Sequence, residues 1–291
     1  MNAHETSATN NYVTRWQDAA ERPTGFRRRL RSFLRSRYLD VISRLPTNPP
    51  AHYAKGLCCH YVFDNQLKSF EQLIVAIRAR GRFISTDQYV RMAEGTETID
   101  GACFHLSFDD GFRNVVTNAL PILEKHAVPF AFFIPTDCIG ADFTQATQFC
   151  SRESYRGPVE FASWDNLRRL DPELVTLGSH TVTHPQLASI SHDGERLHHE
   201  LAASKARLEQ ELDRPCEYLA WPRGQPHDID RATIEVARNC GYRALFGAHG
   251  GTVLPDQPHD LVMPRQHFEL QWPLSHIAYL AARKNSHRKM A

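Results

Sequence analysis

The sequence predicts an α/β fold, a largely parallel sheet covered by helices, on three observations. Past residue 50, short apolar runs alternate with stretches of helical periodicity, the order expected of repeated strand–helix units. Six or seven such units can be traced, enough to close a barrel of about seven parallel strands, with an open doubly wound sheet as the alternative. The length of 291 residues suits one such domain with short extensions. A composition of 42% hydrophobic and 23% charged residues excludes a wholly disordered chain.

In chain order, residues 1–24 are polar and aperiodic and are expected to be mobile. From Phe26 to Leu45, apolar residues at 26, 30, 33, 34, 38, 41, 42 and 45 share one helical face, while Arg27, Arg28, Arg29, Arg31, Arg35, Arg37 and Arg44 crowd the remainder. This basic amphipathic helix belongs to an extension spanning residues 1–50 and ends at Thr47-Asn48-Pro49-Pro50. It reads as a peripheral contact with an anionic membrane surface, or as a helix packed on the core or a subunit with its arginines in water.

Strands are expected at Gly56–Val62, Ala102–Phe108, Pro129–Pro135, Leu174–Gly178, Glu217–Trp221 and Tyr242–Phe246, with another near Leu261–Met263 or His267–Leu270. Helices fill Leu67–Arg80, Asn114–Lys125, Ser163–Leu170, Asp193–Leu212 and Ile229–Asn239. Gly140 to Pro158 reads as a long loop near a site mouth. These elements make one domain over residues 51–272, followed by a C-terminal helix and basic tail over 273–291.

Lys and Arg exceed Asp and Glu by one, so no overall field favours nucleic acid. Seven scattered cysteines, mostly in apolar runs, suit buried thiols in a reducing compartment and point to the cytoplasm. The N-terminus lacks the apolar run of a signal peptide, and no stretch approaches a membrane span.

Two segments carry chemistry. Leu106-Ser107-Phe108-Asp109-Asp110-Gly111 is an apolar strand ending in two acids and a glycine, at the strand end where α/β folds gather active groups. Adjacent carboxylates stay ionised cheaply only beside a cation or donors, although the triplet is also an ordinary capping turn. Gly178-Ser179-His180-Thr181-Val182-Thr183-His184 follows another apolar strand. Histidines at i and i+4 on a helical turn share a face and can hold one metal, although 16 histidines make such spacing possible by chance. Two imidazoles with one carboxylate suit Zn²⁺, with Fe²⁺, Co²⁺ or Ni²⁺ compatible.

In series, these motifs resemble the polysaccharide deacetylases with NodB homology (carbohydrate esterase family 4), whose signatures are Thr-Phe-Asp-Asp-Gly and His-Ser/Thr-x-x-His. Lesser resemblances are Cys59-His60-Tyr61, Ala131-Phe132-Phe133, Ser163-Trp164-Asp165, Ala220-Trp221-Pro222-Arg223-Gly224 and Met263-Pro264-Arg265-Gln266-His267-Phe268. The resemblance spans roughly residues 56 to 270 and implies a distorted (β/α) barrel. It implies Asp109 as general base, Asp110, His180 and His184 as ligands of a divalent metal, and a backbone N–H of Pro222-Arg223-Gly224 as oxyanion donor. The reaction implied is hydrolysis of an N-acetyl group on an amino sugar in a glycan or glycan precursor; the lack of a signal-peptide run favours an intracellular intermediate, such as a lipid-linked or nucleotide-linked sugar, as the expected substrate.

The chain departs from the family in two places. Where many members carry an arginine that steadies the base, this one has Ala220; Arg223 could substitute only by turning inward. The late histidine motif that supplies the general acid is indistinct, and His267 or His249 could supply the proton. His60 is expected to touch substrate or to serve a structural turn, and Trp221, Trp164 and Tyr155 could stack on a sugar ring. A hydrolase of a ring amide or formamide, or a catalytically silent glycan-binding protein, are the rival readings.

Overall fold

The computed structural model describes residues 11–19, 26–43, 49–255, 257 and 262–283. Two helices, α1 (Trp16–Ala19) and α2 (Phe26–Ile42), precede the barrel. There follow β1 (Tyr53–Cys59), α3 (Leu67–Arg78), β2 (Arg82–Phe83), α4 (Thr86–Glu94), β3 (Ala102–Phe108), α5 (Leu120–Lys125), β4 (Phe130–Ile134), α6 (Phe143–Arg152) and α7 (Trp164–Arg168). The chain continues through β5 (Val175–Ser179), α8 (Leu187–Ile190), α9 (Gly194–Leu212), β6 (Tyr218–Ala220), α10 (Arg231–Asn239), β7 (Ala244–Gly247), β8 (Val262–His267) and α11 (Leu274–Ala282). The expected basic tail and the break at Thr47-Asn48 lie outside the described residues.

The strands β1, β3, β4, β5, β6, β7 and β8 pair in parallel and in that order around a closed barrel, sealed by β8 on β1. The expected barrel is therefore what forms, and the open sheet is excluded. Its thinnest seam is β5–β6, paired only at Ser179 and Leu219. The short β2 adds to the start of β3, whose end pairs with β4.

Alternation along each strand divides the core. Outward residues such as Leu57, Leu106, Phe132 and Leu245 pack under the helices, while inward Ala54, Cys103, Ala131, Phe133, Ala220, Phe246 and Met263 fill the barrel. Fully burying a side chain as large as Phe133 contributes about 1.5–3 kcal/mol. Inside the barrel, α4 contributes Tyr89, whose hydroxyl donates to Pro264 O at 2.7 Å and accepts from Gly56 N at 3.1 Å. Neither α4 nor α6 was expected, yet both open on capping boxes, Ser85 with Gln88 and Asp142 with Gln145. Thus Gly140–Pro158 is not a plain loop; it contains a helix of 10 residues. The expected helix Asn114–Lys125 begins with a π turn over Val115–Ala119. All seven cysteines are unpaired, and no helix among the described residues is long and apolar enough to cross a membrane.

Candidate active site

The chemistry gathers at the C-terminal ends of β3, β5, β6 and β8. β3 runs directly into Asp109, after which Asp110 and Gly111 take φ of 71° and 74°. A Cβ on Gly111 would also stand 3.1 Å from Ile139 Cδ1. Two successive left-handed residues turn the chain so sharply that the adjacent carboxylates meet different partners: Asp109 faces β8, and Asp110 faces the loop after β5.

Asp109 is gripped by a fully buried arginine. Arg265 Nη1 and Nη2 donate to its Oδ1 and Oδ2 at 2.7 and 2.9 Å. Nη1 also donates to Ser107 Oγ, Nε donates to Gly247 O, and the guanidinium lies over the rings of Phe133 and Phe246. Burial alone would raise the pKa of Asp109. The charge and hydrogen bonds of Arg265, aided by His180 and His60, override it and hold the carboxyl below its ordinary range.

Asp110, His180 and His184 bring one ligand atom each within 4.8 Å of one another. His180 Nδ1 lies 2.7 Å from Ala220 O; a carbonyl only accepts, so Nδ1 carries the proton and Nε2 presents its lone pair. His184 Nδ1 lies 3.2 Å from Glu153 Oε1, which favours the same tautomer. Both Nε2 atoms then face Asp110 Oδ1, at 3.5 and 3.4 Å. Three buried acceptors converging on one point repel unless a cation joins them, and this donor set fits a divalent metal. Without one, burial would lower the pKa of His184, but Asp110 and Glu153 raise it to about 9, so a proton substitutes.

The segment from His180 to His184 is a loop, not the helical turn expected. Thr181 and His184 have φ of 69° and 64°, and the loop is pinned from α9 by Glu200. That buried carboxylate accepts from Val182 N and Thr183 N, both at 2.9 Å, and from Thr183 Oγ1 at 2.5 Å. Two positive-φ residues, not i/i+4 spacing, therefore bring the rings together. A further layer comes from the turn after α6. Ser154 (φ 68°) separates Glu153 on His184 from Tyr155, whose hydroxyl donates to Asp110 Oδ2 at 3.1 Å. Tyr155 is thereby tied to the Asp110 carboxylate rather than offered to a sugar.

A sequence profile described as polysaccharide deacetylase matches residues 97–245, half of the chain. The chain belongs to the polysaccharide deacetylase family. Among solved structures, it resembles IcaB from Ammonifex degensii at a TM-score of 0.65 and 21% identity, covering 79% of this chain and 97% of that one. It also resembles the BpsB deacetylase domain from Bordetella bronchiseptica (TM-score 0.62, 20% identity, 76% and 98% covered). A third is the Streptococcus pyogenes deacetylase PplD in complex with acetate (0.61, 17%, 79% and 97%). At these identities, the likeness is one of fold. No curated protein matches in sequence.

In place of the arginine that the resemblance led one to expect at Ala220, Arg265 from β8 holds Asp109. Arg223 does not turn inward: it is exposed, at φ 67° in the turn after β6. Pro222 and Gly224 complete that turn, where a Cβ on Gly224 would stand 2.6 Å from Ala248 N. Trp221 is not a sugar platform. It is fully buried, its indole donates to Gln225 O at 3.1 Å, and it stacks on His249. Trp164 is half-buried against the core with Arg207 over its ring.

His60, after β1, and His267, at the end of β8, lie side by side with ring centroids 5.2 Å apart. Beside the histidine loop are two open depressions. One, of about 520 Å³, is lined by residues including Thr136, Trp164, Val182 and His199; the other, of about 480 Å³, includes Gln145, Phe149, Arg152 and Thr183.

Proposed function

We propose that this chain is a metal-dependent N-deacetylase that releases acetate from an N-acetylated amino sugar in a glycan or glycan precursor. The observation that carries the reading is the convergence of Asp110, His180 and His184 beside an ionised, arginine-held Asp109. Zn²⁺ suits these ligands best, with Fe²⁺, Co²⁺ and Ni²⁺ compatible. When bound, such a metal acts as a Lewis acid toward the amide oxygen and makes water a better nucleophile.

The protein's own groups divide the remaining work. Asp109 accepts a proton from the attacking water, and Arg265 keeps it ionised and aimed. As charge develops on the amide oxygen, the N–H groups of Arg223 and Gly224 supply donors; Pro222 has none. The departing amine takes its proton from the His60–His267 pair, whose ring centroids lie 5.2 Å apart.

The test is metal content together with acetate release from N-acetylated oligosaccharides, with an acyclic formamide and a ring amide as controls. About one metal per chain and acetate from the sugars alone support the assignment. Metal binding with turnover of the ring amide only would move the protein to the rival class.

The outer layer yields its own expectation. Tyr155→Phe and Glu153→Gln should each weaken metal affinity by about 10–100-fold, read by titration of the metal-free protein. Because His184 takes up a proton when no cation is present, metal binding near pH 7 should release about one proton, seen as a buffer-dependent heat in calorimetry. The proton count should fall in Glu153→Gln.

A further inference from the structure

The barrel's apolar exposure is concentrated on one flank. Among the described residues, the large hydrophobics exposed by more than a third are Leu30, Leu34, Tyr38 and Val41 on α2, Leu67 and Val75 on α3, and Leu274 on α11. These three helices form one packed group, with α11 against both α2 and α3. On α2 the exposed residues follow helical spacing and are 42%, 57%, 60% and 63% exposed. At 100° per residue they fall within one quadrant, opposite Leu39, which is buried against the body. Contiguous exposed apolar surface of this kind marks an interaction site.

The charge of α2 selects the occupant. Its sequence holds six arginines (27, 28, 29, 31, 35 and 37) and one acid, Asp40, in a chain whose net charge is only +1. That acid is already engaged, 2.9 Å from His276 Nε2 on α11 and 3.4 Å from Arg37 Nη1. A second copy placed on this face would set arginine-rich helix against arginine-rich helix. Nucleic acid would satisfy the arginines but leave the apolar stripe without a partner. A bilayer with anionic headgroups satisfies both, since aliphatic side chains enter the acyl boundary and arginines remain at the phosphates.

We propose that the α2–α3–α11 flank seats this protein on an anionic membrane surface, with Leu30, Leu34, Tyr38 and Val41 inserted. The neighbouring strands β1 and β8, which lead to His60 and His267, run on in sequence to α3 and α11, and Leu67 and Leu274 open those helices. Membrane contact would thus bring that side of the site mouth toward the lipid surface, the orientation a lipid-linked saccharide requires.

The experiment is co-sedimentation of the full chain with phosphatidylcholine vesicles, with and without about 30% phosphatidylglycerol. The expected result is binding to the anionic vesicles only, weakened in high salt, and reduced at least tenfold by Leu34→Asp/Val41→Asp with melting temperature and metal content unchanged. A charge variant, Arg27→Gln/Arg28→Gln/Arg31→Gln, leaves the stripe intact and should lose the same binding if the double aspartate variant fails to fold. Three results would overturn the proposal: no pelleting with anionic vesicles, pelleting unaffected by either variant, or a stable dimer in sedimentation velocity that the aspartates convert to monomer. None of these readouts depends on deacetylation.

Discussion

Asp109→Asn should retain the metal and lose about 10²–10⁴-fold in the rate of acetate release, the range by which a positioned general base assists. The neighbouring substitution His180→Ala should lose the metal itself. The two differ because the turn at Asp110 and Gly111 sends adjacent carboxylates to different tasks: Asp109 toward Arg265, Asp110 toward the imidazoles. Asn keeps one acceptor for Arg265 but leaves its buried charge uncompensated, so stability falls as well and retained metal content serves as the control for folding. His180 carries two functions, since its Nδ1 anchors to Ala220 O while Nε2 faces Asp110. Alanine removes both, and the remaining pair of ligands makes a poor site. If Asp109→Asn instead strips the metal, or His180→Ala retains it, the division of base and ligands proposed here is wrong.

What the sequence disclosed of this site follows chain proximity. Asp109 and Asp110 are adjacent, and His180 and His184 lie four apart, so their motifs were readable, although the loop conformation joining the histidines was not. Arg265 escaped because its partner stands 156 positions away and only barrel closure brings them together. Its strand also hid: Pro264 and Arg265 interrupt the apolar pattern of Val262–His267, so the signal split into two candidate segments on either side. Glu153 was missed and Tyr155 was placed on a sugar ring because the polar character of Gly140–Pro158 hides the helix that the Asp142–Gln145 capping box opens. Trp221 was misassigned for a different reason. An indole beside a site reads as a platform, and its burial depends on Gly247, where a Cβ would stand 2.3 Å from the ring. Periodicity marked strands and helices well because it is local; which inward side chain meets which is set by the barrel's register.

Replacing Arg265 with Met should have the largest effect on the molecule as a whole. Methionine keeps an unbranched apolar stem, but it removes the guanidinium that lies over Phe133 and Phe246, four hydrogen bonds and the charge opposite Asp109. Leaving one member of a buried ion pair uncompensated costs about 3–5 kcal/mol, which lowers the melting temperature by roughly 10 °C or more in a domain of this size. The loss should depend on pH in a definite sense. In the native protein, Asp109 has a folded pKa below its unfolded value, so its stabilisation is present above about pH 4 and is lost as pH falls through the folded pKa. Without Arg265, burial acts against only His180 and His60, and the folded pKa rises. The native protein then gains more stability with rising pH than the variant does, so the gap between them should be narrow in acid and widest near neutrality. The same shift should move the acid limb of kcat/KM to higher pH, because the base must be ionised to act. Arg265→Lys should fall between the two, restoring charge at one point but not the paired donors that fix both oxygens. Melting curves and rate profiles of the three proteins across pH 4 to 8 would decide the matter. A variant that loses stability equally at every pH, with its acid limb unmoved, would show that Arg265 serves packing alone.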